Sequence, residues 1–220
     1  MAQIDKPNLH FNTVLYTGNG SDNHAITGVG FQPDFVWIKT RSTTGFNRLQ
    51  DAVRGATKEI YSNSSQAEST DTNTLKSFDS DGFTLGTTAD YNGNGRTQVS
   101  WNWKANGSGS ANSDGSQSST VSVNTTAGFS IVKFVNNQSY TTNTFGHGLG
   151  AVPKMIMMRS LDDAYNWDVH HNKIAISKRL VLNSSAAESS STYMNSTSPT
   201  NQVFTVKSDE FGSNSNCIAY

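Results

Sequence analysis

The chain has 220 residues, of which 34% are hydrophobic and only 15% charged, and its formal net charge is -1. That balance provides neither a basic field to hold phosphates nor an acidic tail, so nucleic acid and anionic membrane surfaces are excluded as expected partners. The single cysteine, Cys217, excludes an intrachain disulfide framework and a cysteine metal cluster; it reads instead as a small buried hydrophobe on the last strand.

Residues 1–10, with Pro7 and mixed charge, read as an N-terminal arm. They hold no apolar signal core, and no apolar run in the chain reaches bilayer length, so synthesis in a cytoplasm without a secretory signal is expected. A short strand is expected at 11–16. Turn chemistry follows in Thr17-Gly18-Asn19-Gly20-Ser21, because Gly and Asn tolerate positive φ. Pro33 cannot donate to a ladder and marks the entry to a strand over 34–40, whose aromatic and β-branched residues on both parities predict burial on both faces. Strands at 48–53 and 57–61 come next, then a polar loop over 66–74 with one helical turn at 65–68. A strand at 82–86 follows the turn Asp79-Ser80-Asp81-Gly82, and Tyr91-Asn92-Gly93-Asn94-Gly95 predicts a hairpin. In the strand 96–103, alternation puts Val99, Trp101 and Trp103 on one face, read as the core face.

Residues 106–120 are low in complexity, with nothing suited to packing, and read as a Gly/Ser/Asn linker. Beyond them the pattern returns, with strands expected at 127–135, 143–150, 154–160, 165–170, 178–182, 202–207 and 216–220. The return is a repeat at a constant offset of 120 positions. Gly28, Gly30 and Pro33 match Gly148, Gly150 and Pro153, and Asn63-Ser64-Ser65-Gln66-Ala67-Glu68-Ser69 matches Asn183-Ser184-Ser185-Ala186-Ala187-Glu188-Ser189. Outside these anchors, 11–16 parallels 129–134, and Gly82-Phe83-Thr84-Leu85 parallels Val203-Phe204-Thr205-Val206. The chain is therefore a tandem duplication of a module of roughly a hundred residues. The predicted organisation is an arm (1–10), a first module (11–105), the linker (106–120) and a second module (121–220). The predicted fold class is all-β, two tandem antiparallel β-sandwich modules of jelly-roll-like form.

Few residues suggest chemistry. His170 and His171 lie near Asp162, Asp163 and Asp168, but adjacent strand residues point to opposite faces and the first copy has Gln50 and Asp51 at the matching positions, so no metal is expected. His147, in a Gly-rich loop, reads as a turn histidine. Asp79 and Asp81 lack the rest of a calcium loop and read as turn residues. Glu68 and Glu188 are the acids that recur in both copies, with no second carboxylate identifiable at a glycosidase spacing, which favours a capping or turn role. Each titratable cluster is missing from the other copy, so no catalytic residue and no cofactor is expected. Ligand contacts are sought among residues that differ between the copies: Tyr165, Trp167 and His170, with Trp167 the best aromatic for an exposed contact.

The phrases Tyr16-Thr17-Gly18-Asn19-Gly20, Gly30-Phe31-Gln32-Pro33-Asp34-Phe35-Val36-Trp37-Ile38-Lys39, Val99-Ser100-Trp101-Asn102-Trp103-Lys104-Ala105 and Gly146-His147-Gly148-Leu149-Gly150-Ala151-Val152-Pro153-Lys154-Met155-Ile156 resemble the tandem β-modules in virion structural proteins of tailed bacteriophages, especially marine and cyanobacterial phages. The resemblance covers most of 11–220. It implies a β-sandwich virion component of the kind found with tail fibres or other surface appendages, and no catalytic residues. The expected function is that of a non-enzymatic virion structural protein, exposed on the particle and tail-associated as a fibre or accessory protein, assembled in the host cytoplasm. A capsid decoration or cement protein is the alternative; a carbohydrate-binding module is the alternative of another class. The expected partners are other virion proteins of tail or capsid, a host-surface glycan, and further copies in a homo-oligomer, since a sparse core suits a protomer that buries more surface on assembly. Membrane insertion is not expected.

Overall fold

Strands form where period-two patterning meets turn residues, and among the described residues the ladders between strands are antiparallel. The computed structural model describes Ile4 and residues 6–139, 142–212 and 214–220. It is all-β and, among the described residues, has 19 strands and one four-residue α-helix. No helix among them is long and apolar enough to cross a membrane. The chain divides into two compact units, Met1–Ser62 with Ser69–Ser108, and Asn63–Glu68 with Gly109–Tyr220.

In the first unit, a 3-10 turn at Pro7–Leu9 leads into β1 (Phe11–Thr17), followed by β2 (His24–Ile26), β3 (Phe35–Thr40), β4 (Arg48–Asp51), β5 (Lys58–Tyr61), β6 (Ser69–Thr70), β7 (Leu75–Asp79), β8 (Gly82–Leu85), α1 (Ala89–Asn92) and β9 (Thr97–Trp103). One sheet has the order β1-β9-β3-β4-β5-β6 and the other β2-β8-β7. Between them Val36, Ile38, Val14 and Tyr16 pack against Ile26, Leu75, Phe83, Leu85 and Tyr91. At Gly82 an added Cβ would collide with the Ile26 carbonyl, so glycine is required where β8 crosses closest to β2.

Alternation along β9 was legible, but the face it assigns to the core is the other one. Ser100 pairs with Ile38 and Val14, and Asn102 with Val36 and Asn12, so Gln98, Ser100 and Asn102 share the face of the apolar core residues and are fully buried. Trp101 pairs with Trp37, and Trp103 with Phe35 and Phe11, on the outer face, where both indoles are half-buried. Two of these polar side chains donate to backbone carbonyls: Asn102 Nδ2 to Asn12 O at 3.1 Å and Ser100 Oγ to Val14 O at 3.5 Å.

The second unit contains β10 (Ser110–Asn112), β11 (Ser119–Asn124), β12 (Phe129–Asn136), β13 (Thr142–Gly146), β14 (Met155–Ser160), β15 (Asp168–His171), β16 (Lys178–Val181), β17 (Ser189–Ser190), β18 (Val203–Lys207) and β19 (Ser215–Ala219). Its larger sheet runs β10-β11-β12-β19-β14-β15-β16-β17, and β13 pairs with β18. Phe134, Phe145, Ile156, Met158, Phe204, Val206, Phe211 and Ala219 form the core with Tyr193, Met194 and Cys217. Cys217 is a buried free thiol, raised by desolvation.

Ladders recur in register: Phe35↔Asp51 and Met155↔His171, Arg48↔Tyr61 and Asp168↔Val181, Lys58↔Thr70 and Lys178↔Ser190. Three local expectations are corrected. Residues 106–120 hold β10 and the start of β11, because an edge ladder needs backbone groups rather than packing side chains, and small residues permit close approach: a Cβ at Gly115 would strike the Thr144 carbonyl. The hairpin signal at 91–95 is partly taken by α1, whose Tyr91 and Asn92 amides bond Thr88 O, while the Arg96 amide still closes a turn on Gly93 O. No helical turn forms at 65–68, and β7 follows the polar loop.

Core and outer face should separate on mutation. Phe204→Ala, which empties a fully buried ring site, is expected to cost about 3–5 kcal/mol, and Trp101→Ala distinctly less, measured as shifts in urea unfolding midpoints.

Candidate functional site: a carbonyl-gripping arginine and two buried charge clusters

Strand β14 presents Arg159 on the outer face of the second unit's large sheet, directly opposite Trp167 by extension of the β14–β15 register. The side chain is fully buried. A lone buried guanidinium is costly unless its N–H groups find acceptors. Here Nη1 donates to Ser64 O at 3.1 Å, Nη2 to Ser65 O at 2.9 Å and Gln66 O at 2.6 Å, and Nε to Ser160 O at 2.9 Å. The guanidinium lies over the Trp167 ring at 5.4 Å, and Trp167 in turn packs on Tyr220 at 6.0 Å between centroids. The Glu68 amide adds a bond to Leu161 O at 2.8 Å. Segment 63–68 is thus held through its backbone, by a planar cationic fork and one ladder-like contact.

Each unit also carries a buried charge cluster at matching positions, with the signs exchanged. In the first unit Arg48 of β4 faces Glu59 of β5 (Nε to Oε2, 3.5 Å), and its Nη2 bonds Asp90 at 2.5 Å. Glu59 accepts from Tyr91 at 2.6 Å, Tyr61 at 2.9 Å and Ser69 at 3.2 Å, while the Arg48 guanidinium lies over both tyrosine rings. Burial, then the Glu59 carboxylate, pushes the Tyr91 phenol well up. In the second unit Asp168 stands where Arg48 did and Arg179 where Glu59 did, 2.8 Å apart, with Glu210 3.7 Å from the same Arg179 nitrogen. Desolvation, aided by the Glu210 charge against the opposing pull of Arg179, pushes the Asp168 carboxyl up to about 7. Glu210 is also raised, chiefly by desolvation, so the two acids compete for one proton beside the arginine.

Outside the clusters, the outer face of the first unit's large sheet carries an apolar patch. Leu15 is 62% and Phe11 37% exposed, beside half-buried Trp37, Trp101 and Trp103. Phe11 and Trp103 rings lie 4.7 Å apart, and Trp37 and Trp101 6.1 Å apart.

A family model described as "Domain of unknown function (DUF7483)" matches residues 6–220. The chain belongs to the DUF7483 family. No curated protein and no solved structure matches it.

In this DUF7483 chain the residues expected to bind ligand do not form one surface. Trp167 is fully buried under Arg159, because the arginine needs a flat apolar partner. Tyr165 is half-buried, edge-on to Phe211 at 6.0 Å. His170 is 5% exposed on the opposite face of β15 from Trp167, paired with Ile156, and burial followed by the His171 charge lowers its pKa. Among the described residues no group of three or more His, Cys, Asp or Glu could hold a metal. His147 is buried in its turn, its Nδ1 accepting from the Leu149 amide at 3.1 Å. Asp81 accepts from the Gly28 and Gly30 amides, and Asp79 from Ser77 and Thr84.

Sequence reading missed Arg159 and the Asp168–Glu210 pair. The available signal was the charge exchange at repeat-matched positions, Arg48 with Asp168 and Glu59 with Arg179.

Arg159→Ala strips three loop carbonyls of a charged donor, and should lower stability by about 1.5–3 kcal/mol and accelerate amide exchange at Glu68, read by mass spectrometry. A second outcome concerns pH. Because the folded Asp168 holds its proton up to about 7, against 3.8 when unperturbed, the folded chain binds more protons between these values. Its contribution is complete below the unfolded pKa and is lost as pH rises through the folded one. The melting temperature of Asp168→Asn relative to the parent should therefore rise between pH 4 and pH 8.

Proposed function

We propose that the chain is a non-enzymatic structural component of a tailed-bacteriophage virion, exposed on the particle and tail-associated as a fibre or accessory protein. It works through surface contacts in a homo-oligomer and with other virion proteins, and is assembled in the host cytoplasm. The observation that carries this reading is the contrast between the repeats: ladders and turns recur in register, whereas the ionisable clusters differ in sign and membership. A duplication that keeps architecture and changes its charged groups suits a scaffold more than a shared active centre. The outer aromatic face of the first unit supplies contact area of the kind assemblies bury. Attachment to the capsid as a decoration protein would use the same features.

A second reading, a carbohydrate-binding module, is favoured by Trp37 and Trp101, half-exposed side by side on a sheet face where a sugar ring could stack.

Purified protein incubated with host-surface polysaccharide, with and without EDTA, should release no oligosaccharide and should give a defined multimer by light scattering. Antibody labelling should decorate intact particles. Metal-dependent release would make the protein an enzyme. Saturable glycan binding that disappears in Trp101→Ala, without particle labelling, would establish the second reading instead.

A further inference from the structure

Two loops of this chain share the sequence Asn-Ser-Ser-x-Ala-Glu-Ser, and they have different fates. Loop 63–68 is gripped in the second unit by Arg159 and Leu161. Loop 183–188 leaves β16 in the same way: Leu182 N bonds Trp167 O at 3.2 Å as Ser62 N bonds Asn47 O at 2.9 Å. It forms the same internal turn, with the Ala186 amide on Ser184 Oγ at 3.1 Å matching the Gln66 amide on Ser64 Oγ at 3.2 Å. Yet residues 184–190 are all exposed, whereas Ser64, Ser65, Ala67 and Glu68 are half-buried. The second loop keeps the turn of the first with its side chains exposed.

The first unit presents a face at the repeat-matched positions, with Asn47 in the place of Trp167. The position of Arg159 is held there by Lys39, that of Leu161 by Arg41, that of Met157 by Trp37, and that of Tyr220 by Trp101. Lys39 is exposed, and its Nζ, with three donors, is bonded to Asn47 Oδ1 at 3.0 Å. Arg41 is exposed beside it, and the apolar floor of Trp37, Trp101 and Leu15 lies next to both. Loop 183–188 carries one charged residue, the acid Glu188, opposite in sign to this basic pair.

We propose that loop 183–188 of one copy docks on the outer β3–β9 face of the first unit of a second copy, with Lys39 in the role that Arg159 plays for loop 63–68. Donor and acceptor are different surfaces, so the association is head-to-tail: it closes into a ring or propagates as a filament, according to the rotation per step. This rests on the reading above that the chain works as an oligomer, and names its partner as another copy of itself.

The full chain is tested by light scattering over a concentration series, alone and in mixtures. Ala187→Arg blocks the donor loop at an exposed site, and Lys39→Glu repels Glu188 at the acceptor; Leu15→Glu serves as a second acceptor variant should Lys39→Glu fold poorly by circular dichroism. Each variant alone should associate at least about tenfold more weakly than the parent. An equimolar mixture of donor-blocked and acceptor-blocked chains should form a 1:1 dimer and stop there, because one intact loop and one intact face remain. A parent multimer unchanged in all variants would overturn the docking while leaving oligomeric function standing. A parent that stays monomeric throughout would overturn both.

Discussion

Because directly paired residues in an antiparallel sheet share a face, the register of β9 against β1 and β3 decides where every side chain of the first unit's large sheet must go. Val14, Val36 and Ile38 must meet the second sheet, and their ladder partners Ser100 and Asn102 are carried in with them. The tryptophans are carried out. β19 imposes the same arrangement between β12 and β14, sending Cys217 and Ala219 inward and Ile218 to the face of Arg159. The polar interior and the aromatic exterior of the first unit are two consequences of one pairing.

Buried charge is handled in two ways under that constraint. Arg48 and Glu59 form a network in which two tyrosine hydroxyls and Ser69 donate to the carboxylate, so the acid is solvated by the protein. With the signs exchanged, Asp168 lies deepest and its arginine is partly exposed, while a second acid, Glu210, approaches the same cation. Desolvation then dominates and the proton is retained. The same sheet positions thus carry an arginine–glutamate brace in one copy and, in the other, an aspartate whose carboxyl burial raises.

Arg159 shows why backbone recognition suits a repeat. Its fork reads carbonyls, which every sequence supplies, and its position on the sheet fixes which loop can reach it. Substituting Lys39 at the matching place keeps the cation and loses the planar fork, a change that favours a weaker, reversible hold over a permanent one.

The duplication, the all-β class, the main strands and their two-residue period were determined by the sequence alone, since Pro33 and Pro153, the Gly turns and the 120-residue offset act locally or by direct comparison. So was the opposition of His170 and His171, which follows from strand alternation. Only the tertiary structure decided which face of β9 is inside, because alternation gives a period and no sign, and hydrogen bonds to Asn12 and Val14 carbonyls let polar residues take the inner side. It decided that residues 110–112 pair as an edge strand, since ladder bonds leave no trace in side-chain composition. It also decided that Trp167 is covered by Arg159 and that burial, aided by Glu210, raises the Asp168 carboxyl, because both depend on residues distant in the chain whose approach is set by folding.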